Sequence, residues 1–396
     1  MRSKFPIKPS LLVVSCLLFV TMLFSAGCGD KKPVKIGVFE PLTGRHALNG
    51  SIEKEGIELA HSQRSVLGDQ EVQLVYADNQ SDPNIAVTAA ETLVKEQKVN
   101  AVIGSWGSTL SIAAGDVFQE NQTMAVAASC TNPLVTHDND WYVRMCYIDS
   151  FQGRALARYT VERLGARSVA IITESDSSYS TSLARYYSEA LMELTANPHI
   201  IVATESYASD TQDFNTLITS ISRLSPDLIF APGNAKQSAL LIKQARQLGV
   251  QTPFLGGDTW ANYDFIQTGG EAVENVIISS FFDLDANLTS KTQPFIQAYQ
   301  AAYGKNPADI AALSYDAYNL LLDAMEISGT KDPEKLQKTI YQMQGWEGVT
   351  GHFSFDVDGN PIKDVVFKTV KNGELSFLES ISGATTPPAR NNADSQ

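Results

Sequence analysis

From Val34 onward, short β-branched apolar runs alternate with longer stretches whose apolar positions recur every three to four residues. Val34–Phe39, Val72–Tyr76, Asn100–Ile103 and Met124–Ala127 predict strands, and the segments between them predict helices. After the third of these strands, Leu110, Ala113, Ala114, Val117 and Phe118 fall at i, i+3, i+4, i+7 and i+8, one face of a helix. Pro83, just after Ser81-Asp82, opens another helix at a position where its missing N–H costs nothing. The alternation restarts after Asp149 with strands Ser168–Thr173, Ile200–Ala203, Asp227–Ala231, Pro253–Gly256 and Val276–Ser280. Phe214, Leu217, Ile218 and Ile221 mark one of the intervening helices. The pattern predicts an α/β protein of two doubly wound parallel-sheet units. Helices around Pro294–Tyr303, Ile310–Ile327 and Pro333–Met343 follow, then strand-like runs Gly351–Phe355 and Val365–Val370 around a hairpin turn at Asp358-Gly359-Asn360-Pro361. The polar end, 382–396, carries no periodic signal and is expected to be disordered.

The N-terminus follows another rule. Arg2, Lys4 and Lys8 precede an uncharged, mostly apolar run from Leu11 to Phe24, and the small residues Ser25-Ala26-Gly27 lead to Cys28. A positive region, a short apolar region and small residues before a cut form a secretory signal, here 1–27. The run is too short to span a bilayer comfortably. Small residues ending on Cys resemble a bacterial lipobox, whose Cys becomes the lipidated first residue. Lipoboxes usually carry Leu where this chain has Ser25, so ordinary cleavage beside an unmodified Cys28 is the other reading. Cys16 is discarded under both.

Composition narrows the function classes. The 396 residues are 43% apolar and 19% charged, which describes a globular protein, and the formal net charge of −14 disfavours nucleic acid and anionic lipid as partners. Three positive charges leave with the signal, deepening that balance. No metal-ligand spacing joins the five His and four Cys, so neither a metal nor a cofactor is expected. Asp356-x-Asp358-Gly-Asn360 lacks the EF-hand spacing. An exported chain can form disulfides, and only Cys130 and Cys146 remain to make one. They follow Thr123–Ala128 and Trp141–Met145, read as neighbouring strands; a disulfide is the favoured reading and two buried thiols the alternative.

In open parallel sheets, ligands bind at the carboxyl ends of the strands, where helix N-termini and loop amides point into a crevice. In the first unit those ends carry Glu40-Pro-Leu-Thr43-Gly44, Gly104-Ser105-Trp106-Gly107-Ser108-Thr109 and Ala128-Ser129-Cys130-Thr131-Asn132-Pro133. Ser108 or Thr109 sits where a helix presents free amides to an anion; capping that helix is the competing role for Ser108. In the second unit the ends are Glu174-Ser-Asp-Ser-Ser-Tyr179, Pro232-Gly233-Asn234 and Gly256-Gly257-Asp258-Thr259-Trp260. Hydroxyls and amides in one unit suit a carboxylate. In the other, Asp258 suits a cation, with Tyr179 and Trp260 as walls. An α-amino acid has that pair of charges.

Lys35-Ile-Gly-Val-Phe-Glu-Pro-Leu-Thr-Gly44, Val102-Ile-Gly-Ser105 with Ser108, Thr131-Asn-Pro133, Phe151-Gln-Gly153, Asp213-Phe214 and Gly351-His-Phe-Ser-Phe-Asp356 together resemble the leucine/isoleucine/valine-type solute-binding proteins of ABC importers. The similarity runs from about Val34 to Leu375. It implies a clamshell of two lobes, 34–148 plus 282–355 and 149–281 plus 356–381, joined by a three-crossover hinge and preceded by a linker, 28–33. By the same resemblance, Ser108 and Thr131 hold the ligand carboxylate with backbone help near Ser129, Asp258 receives the α-ammonium, and Tyr179 is an aromatic contact. Asn49 and Asn234 stand where branched-chain binders carry Tyr, which puts branched-chain specificity in question, and Trp106 and Trp260 complete the expected lining. The family's usual disulfide is missing, since Gly107 occupies its position.

The expected function is therefore extracytoplasmic capture of an amino acid or similar small zwitterion or carboxylate by a monomer, and its delivery to an ABC permease. The membrane would be touched only through a lipid on Cys28. A hydrolase is a rival, but the chain lacks a G-x-S-x-G elbow and only His46 falls in the strand-end loops. A sensor ectodomain would need a spanning helix and a signalling domain, which the sequence does not encode; feeding a separate sensor is the remaining alternative.

Overall fold

The computed structural model describes residues 32–286 and 288–381, together with Met1. Cys28, the signal segment before it and the tail 382–396 lie outside the described residues. Two twisted sheets organise the rest. The first has six strands in the order β2-β3-β1-β4-β5-β6: β1 (Val34–Glu40), β2 (Val66–Leu67), β3 (Gln70–Asp78), β4 (Ala101–Gly104), β5 (Ala125–Ala127) and β6 (Tyr142–Arg144). All are parallel except the short β2, which pairs antiparallel with β3.

Helices cover both faces of this sheet, which is why its strands are apolar runs without polar alternation. The two-residue period of β1 still sorts the faces: Ile36 and Val38 pack with Ile57 of α1 (Ala47–Gln63) and Leu313 and Leu321 of a helix at Asp309–Ser328. On the other face, Phe39 and Val102 pack with Ala86 of α2 (Pro83–Glu91) and Leu110, Ala114 and Phe118 of α3 (Ser108–Glu120). Asp82 caps α2 by accepting from the amides of Asn84 and Ile85, with Pro83 in its first turn as the sequence predicts.

The second sheet is ordered β15-β14-β11-β10-β9-β7-β8. Its parallel part is β7 (Val169–Glu174), β8 (Ile201–Tyr207), β9 (Leu228–Phe230), β10 (Phe254–Gly256) and β11 (Ile277–Ser280). One face packs on α4 (Asp149–Glu162) and α5 (Ser178–Thr195) through Leu156, Leu183, Tyr187 and Leu191. Its other face packs on α6 (Asn215–Ser222), α7 (Ala235–Gln247) and α8 (Tyr263–Gly269) through Ile218, Ile242 and Phe265.

After β11 the chain returns to the first sheet with α9 (Thr292–Tyr303), α10 (Asp309–Ser328) and α11 (Pro333–Gln342). It then runs back to the second sheet through β14 (Val365–Lys371) and β15 (Glu374–Ile381), both antiparallel additions. The expected hairpin around Asp358-Gly359 does not form. Gly351–Phe353 (β13) pairs instead with Trp346–Gly348 (β12), and β14 pairs with β11 and β15. The turn itself is closed locally, by the amides of Asp358 and Asn360 donating to Asp356 Oδ1 and by one bridge from Phe355 to Pro361.

The disulfide expectation is also corrected. β5 and β6 are neighbours, but Cys130 and Cys146 are free, buried thiols. They belong to the clusters on opposite faces of the first sheet. Cys130 Sγ donates to the Ser105 carbonyl at 2.8 Å, and Cys146 Sγ to the Cys130 carbonyl at 3.1 Å. Burial pushes both thiols up in pKa, so they are held as uncharged core groups.

Candidate functional site

The carboxyl ends of the two parallel sheets face a common cleft containing about 580 Å³ of space free of protein atoms, part of it continuous with solvent. Its first wall is the joint between β4 and α3. Gly104 has φ +124°, and a Cβ there would sit 1.9 Å from the Phe39 carbonyl, so only glycine lets the chain turn this close to β1. Gly107, also at positive φ, is the residue preceding α3, and no side chain caps that helix. Ser108 is thus not the cap; its hydroxyl accepts from the Asn132 amide at 3.3 Å and lines the cleft. An uncapped helix start beside hydroxyls is a place where an anion satisfies orphan N–H groups.

Ser129, two residues past β5, lines the same wall, and its hydroxyl is bonded to Glu53 Oε1. Glu53 comes from the inward face of α1 and is fully buried beside Glu40, the last residue of β1, whose Oε2 accepts from the Trp106 amide at 2.7 Å. Burial pushes both carboxyls up, Glu53 to about 7, and each interacts with the other. The pair therefore favours sharing a proton beneath the wall.

The opposite wall centres on Asp258, just past β10. Its Oδ1 accepts from Gln152 Nε2 at 2.7 Å and from the Tyr179 hydroxyl at 3.0 Å. Burial raises its pKa to about 7, with Asp149 and Asp309 adding to the rise against the lowering effect of its hydrogen bonds. Gln152 is fixed in turn by Ser279 Oγ at 2.8 Å. A desolvated carboxylate held by neutral donors is a receptor for a cation.

A third group lies along the second sheet. Glu174, ending β7, accepts from the backbone amide of Asn234 at 2.9 Å and from its Nδ2 at 2.8 Å. Burial raises its pKa. Asp176 accepts from the Ser209 amide and hydroxyl, and Arg45 reaches across from the first unit to Asp176 at 3.5 Å and to Ser209. The walls also meet through Ser178 N to Thr109 Oγ1 at 3.1 Å and Asn132 Nδ2 to the Ser178 carbonyl at 2.8 Å. His46, the histidine an enzyme reading needs, packs on Trp106 with ring centroids 4.7 Å apart and the rings tilted by 45°; burial and Arg45 push its pKa down to about 4, leaving it neutral.

Of the residues expected from sequence, Trp106, Ser108, Ser129, Tyr179, Asn234 and Asp258 line one cleft. Thr131 is fully buried behind the wall against the Asp149 carboxyl, and Trp260 is a core residue stacked on Phe265, its Nε1 donating to the Gly233 carbonyl at 3.2 Å. Asn49, half-buried on α1, stands outside the lining. Sequence reasoning missed Arg45, Glu53 and Gln152. Glu53 had a signal, since Glu53, Ile57 and Ala60 share one helical face.

With this geometry in view, relatives are informative. Residues 33–374 match the model of the periplasmic binding protein family. The chain belongs to that family. Among solved structures similar to this binding protein is the leucine-binding protein LivK of Thermotoga maritima, 35% identical, with a TM-score of 0.84, covering 88% of this chain and 99% of that one. The LivJ substrate-binding protein of Streptococcus pneumoniae, in complex with isoleucine, is 28% identical with a TM-score of 0.83, covering 88% and 99%. A Leu/Ile/Val-binding protein homologue of Brucella abortus is 26% identical over 358 residues, 89% of this chain and 94% of the relative. Among the described residues of this binding protein no helix is long and apolar enough to cross a membrane, and no cluster of His, Cys, Asp and Glu could hold a metal ion.

Proposed function

We propose that this binding protein captures a free α-amino acid between its two sheets and delivers it to an ABC permease, exported and tethered through a lipid on Cys28. The observation that carries the reading is Asp258, a buried carboxylate held by Gln152 and Tyr179, sharing a cleft with the uncapped start of α3 at Ser108. The first suits an ammonium and the second a carboxylate. The amino-acid ligands named for related structures support the same reading. Ligand docks on the wall of Ser108 and Ser129, and closure brings Tyr179 and Asp258 onto it. Binding favours closure only by the difference in affinity between the open and closed states.

A hydrogen bond to a charged group is typically worth ~1.5–3 kcal/mol, so Asp258→Ala should weaken amino-acid binding by at least tenfold. Isothermal titration of the wild type and Asp258→Ala against the twenty amino acids checks this. Undiminished binding of every wild-type ligand by the variant contradicts the assignment.

A further inference from the structure

Across the second sheet, β10, β9 and β7 are consecutive neighbours with their carboxyl ends on one side. They present Asp258, Asn234 and Glu174 to the cleft in that order. Asp258 and Glu174 thus lie two strand spacings apart, about 10 Å at the backbone. This row also accounts for every charge on the cleft wall. Arg45 is paired with Asp176. His46 packs at a tilt on Trp106, and burial beside Arg45 keeps it neutral. Asp258 takes the ligand's α-ammonium under the proposed function. Glu174 accepts its side-chain hydrogen bonds from the neutral donors of Asn234; the Arg45 charge is near enough to be felt but is bonded to Asp176 and Ser209, and no salt bridge to Glu174 occurs among the described residues.

We propose that Glu174 determines specificity by receiving a cationic ligand side chain, so that the preferred ligand is a basic amino acid of lysine, ornithine or arginine type. The proposal rests on the amino-acid reading and sharpens it. A branched aliphatic side chain in this position would cover a buried carboxylate with apolar surface and supply no counter-charge, which is costly. An acidic side chain would add repulsion from both Glu174 and Asp176. A basic side chain extending from an α-carbon anchored at Asp258 reaches along the strand row and ends on Glu174. There its charge compensates a carboxylate that Asn234 already orients through two hydrogen bonds. Arg45, Asp176 and Ser177 add polar groups to the lining, while Pro83, Trp106, Leu110 and Tyr179 supply the apolar surface on which the aliphatic stem of a basic side chain can rest.

The test compares ligands of equal length and different charge. Wild-type protein and Glu174→Gln, a near-isosteric change that retains hydrogen bonding, are titrated calorimetrically with L-lysine, L-norleucine, L-glutamine and L-leucine, with melting curves to show that both are folded. The wild type should bind lysine at least tenfold more tightly than norleucine or glutamine, and Glu174→Gln should reduce the lysine-to-norleucine affinity ratio by at least tenfold. Leucine, norleucine or glutamine binding as tightly as lysine, or a ratio unchanged in the variant, overturns the proposal while leaving amino-acid capture intact. If none of the twenty amino acids binds, both readings fail together. Should Glu174→Gln not fold, Asn234→Ala is titrated with the same ligands. It removes the Nδ2 bond that orients Glu174, and an unchanged lysine-to-norleucine ratio again overturns the proposal.

Discussion

At the scale of single residues, the cleft is governed by carboxyl groups whose burial keeps them near the neutral point. Asp258 can receive an ammonium only when ionised, and burial has raised its pKa to about 7. A bound ammonium stabilises the ionised form, so ligand binding below pH 7 must displace a proton. Amino-acid affinity should therefore rise from pH 5.5 to pH 8, by up to about tenfold per unit below the free-state value, and level off above it. Titrations across that range check the slope, and Asp258→Asn should flatten it. The unliganded fold responds in the opposite sense. Glu53 and Asp258 bind protons more tightly folded than unfolded, so their contribution to stability is full below the unfolded carboxyl range and is lost as pH rises towards 7. Glu53→Gln should make the unliganded melting temperature less sensitive to pH between 5 and 7. Residue-scale legibility was uneven for a physical reason. Asp258, Ser108 and Tyr179 stand within a few residues of strand ends, in the first turn of the segment that follows, where the sheet rule looks, whereas Glu53 sits in Ile52-Glu53-Lys54-Glu55 and reads as part of a solvated run until the helix is packed.

At the scale of elements, the joint between β4 and α3 carries the anion-facing wall, and Gly104 is its constraint. Alanine there meets the Phe39 carbonyl and must also hold φ +124°, so the loop has to move. Gly104→Ala should lower the melting temperature and weaken ligand binding together. Gly165 is the comparison: its φ is +61° and open space surrounds its missing Cβ, so Gly165→Ala should cost about 1 kcal/mol of stability and leave affinity unchanged. Melting curves and titrations of both variants check the contrast. The element pattern itself was largely legible. Strands β1, β4 and β7 are β-branched runs buried on both faces, which periodicity detects directly. Strand β15, Glu374-Leu-Ser-Phe-Leu-Glu-Ser-Ile, escaped because it is a half-exposed edge strand with no clean alternation. The Asp358 turn misled because turn chemistry fixes a local reversal but does not decide which strands pair beyond it.

At the scale of the whole molecule, the chain passes from the first sheet to the second after Tyr147, returns after Ser280 and crosses again before Val365. The region between the sheets contains a buried pair, Lys368 and Asp283 at 3.3 Å, and Lys363, whose Nζ donates to Thr350 Oγ1 at 2.7 Å and whose pKa burial lowers to about 8. Such groups tolerate burial only while paired, so they favour discrete arrangements of the connecting segments over continuous deformation. Cross-cleft bonds from Arg45, Thr109 and Asn132 describe a cleft whose walls are already in contact, and ligand binding would stabilise this arrangement over one in which they part. The most direct measurement is a crystal structure of the protein with the amino acid that binds most tightly. The account predicts one molecule in the cleft, its α-ammonium within hydrogen-bond distance of Asp258 and its α-carboxylate at the start of α3 beside Ser108. A ligand held outside the cleft, or inside it with neither group on these partners, would contradict it.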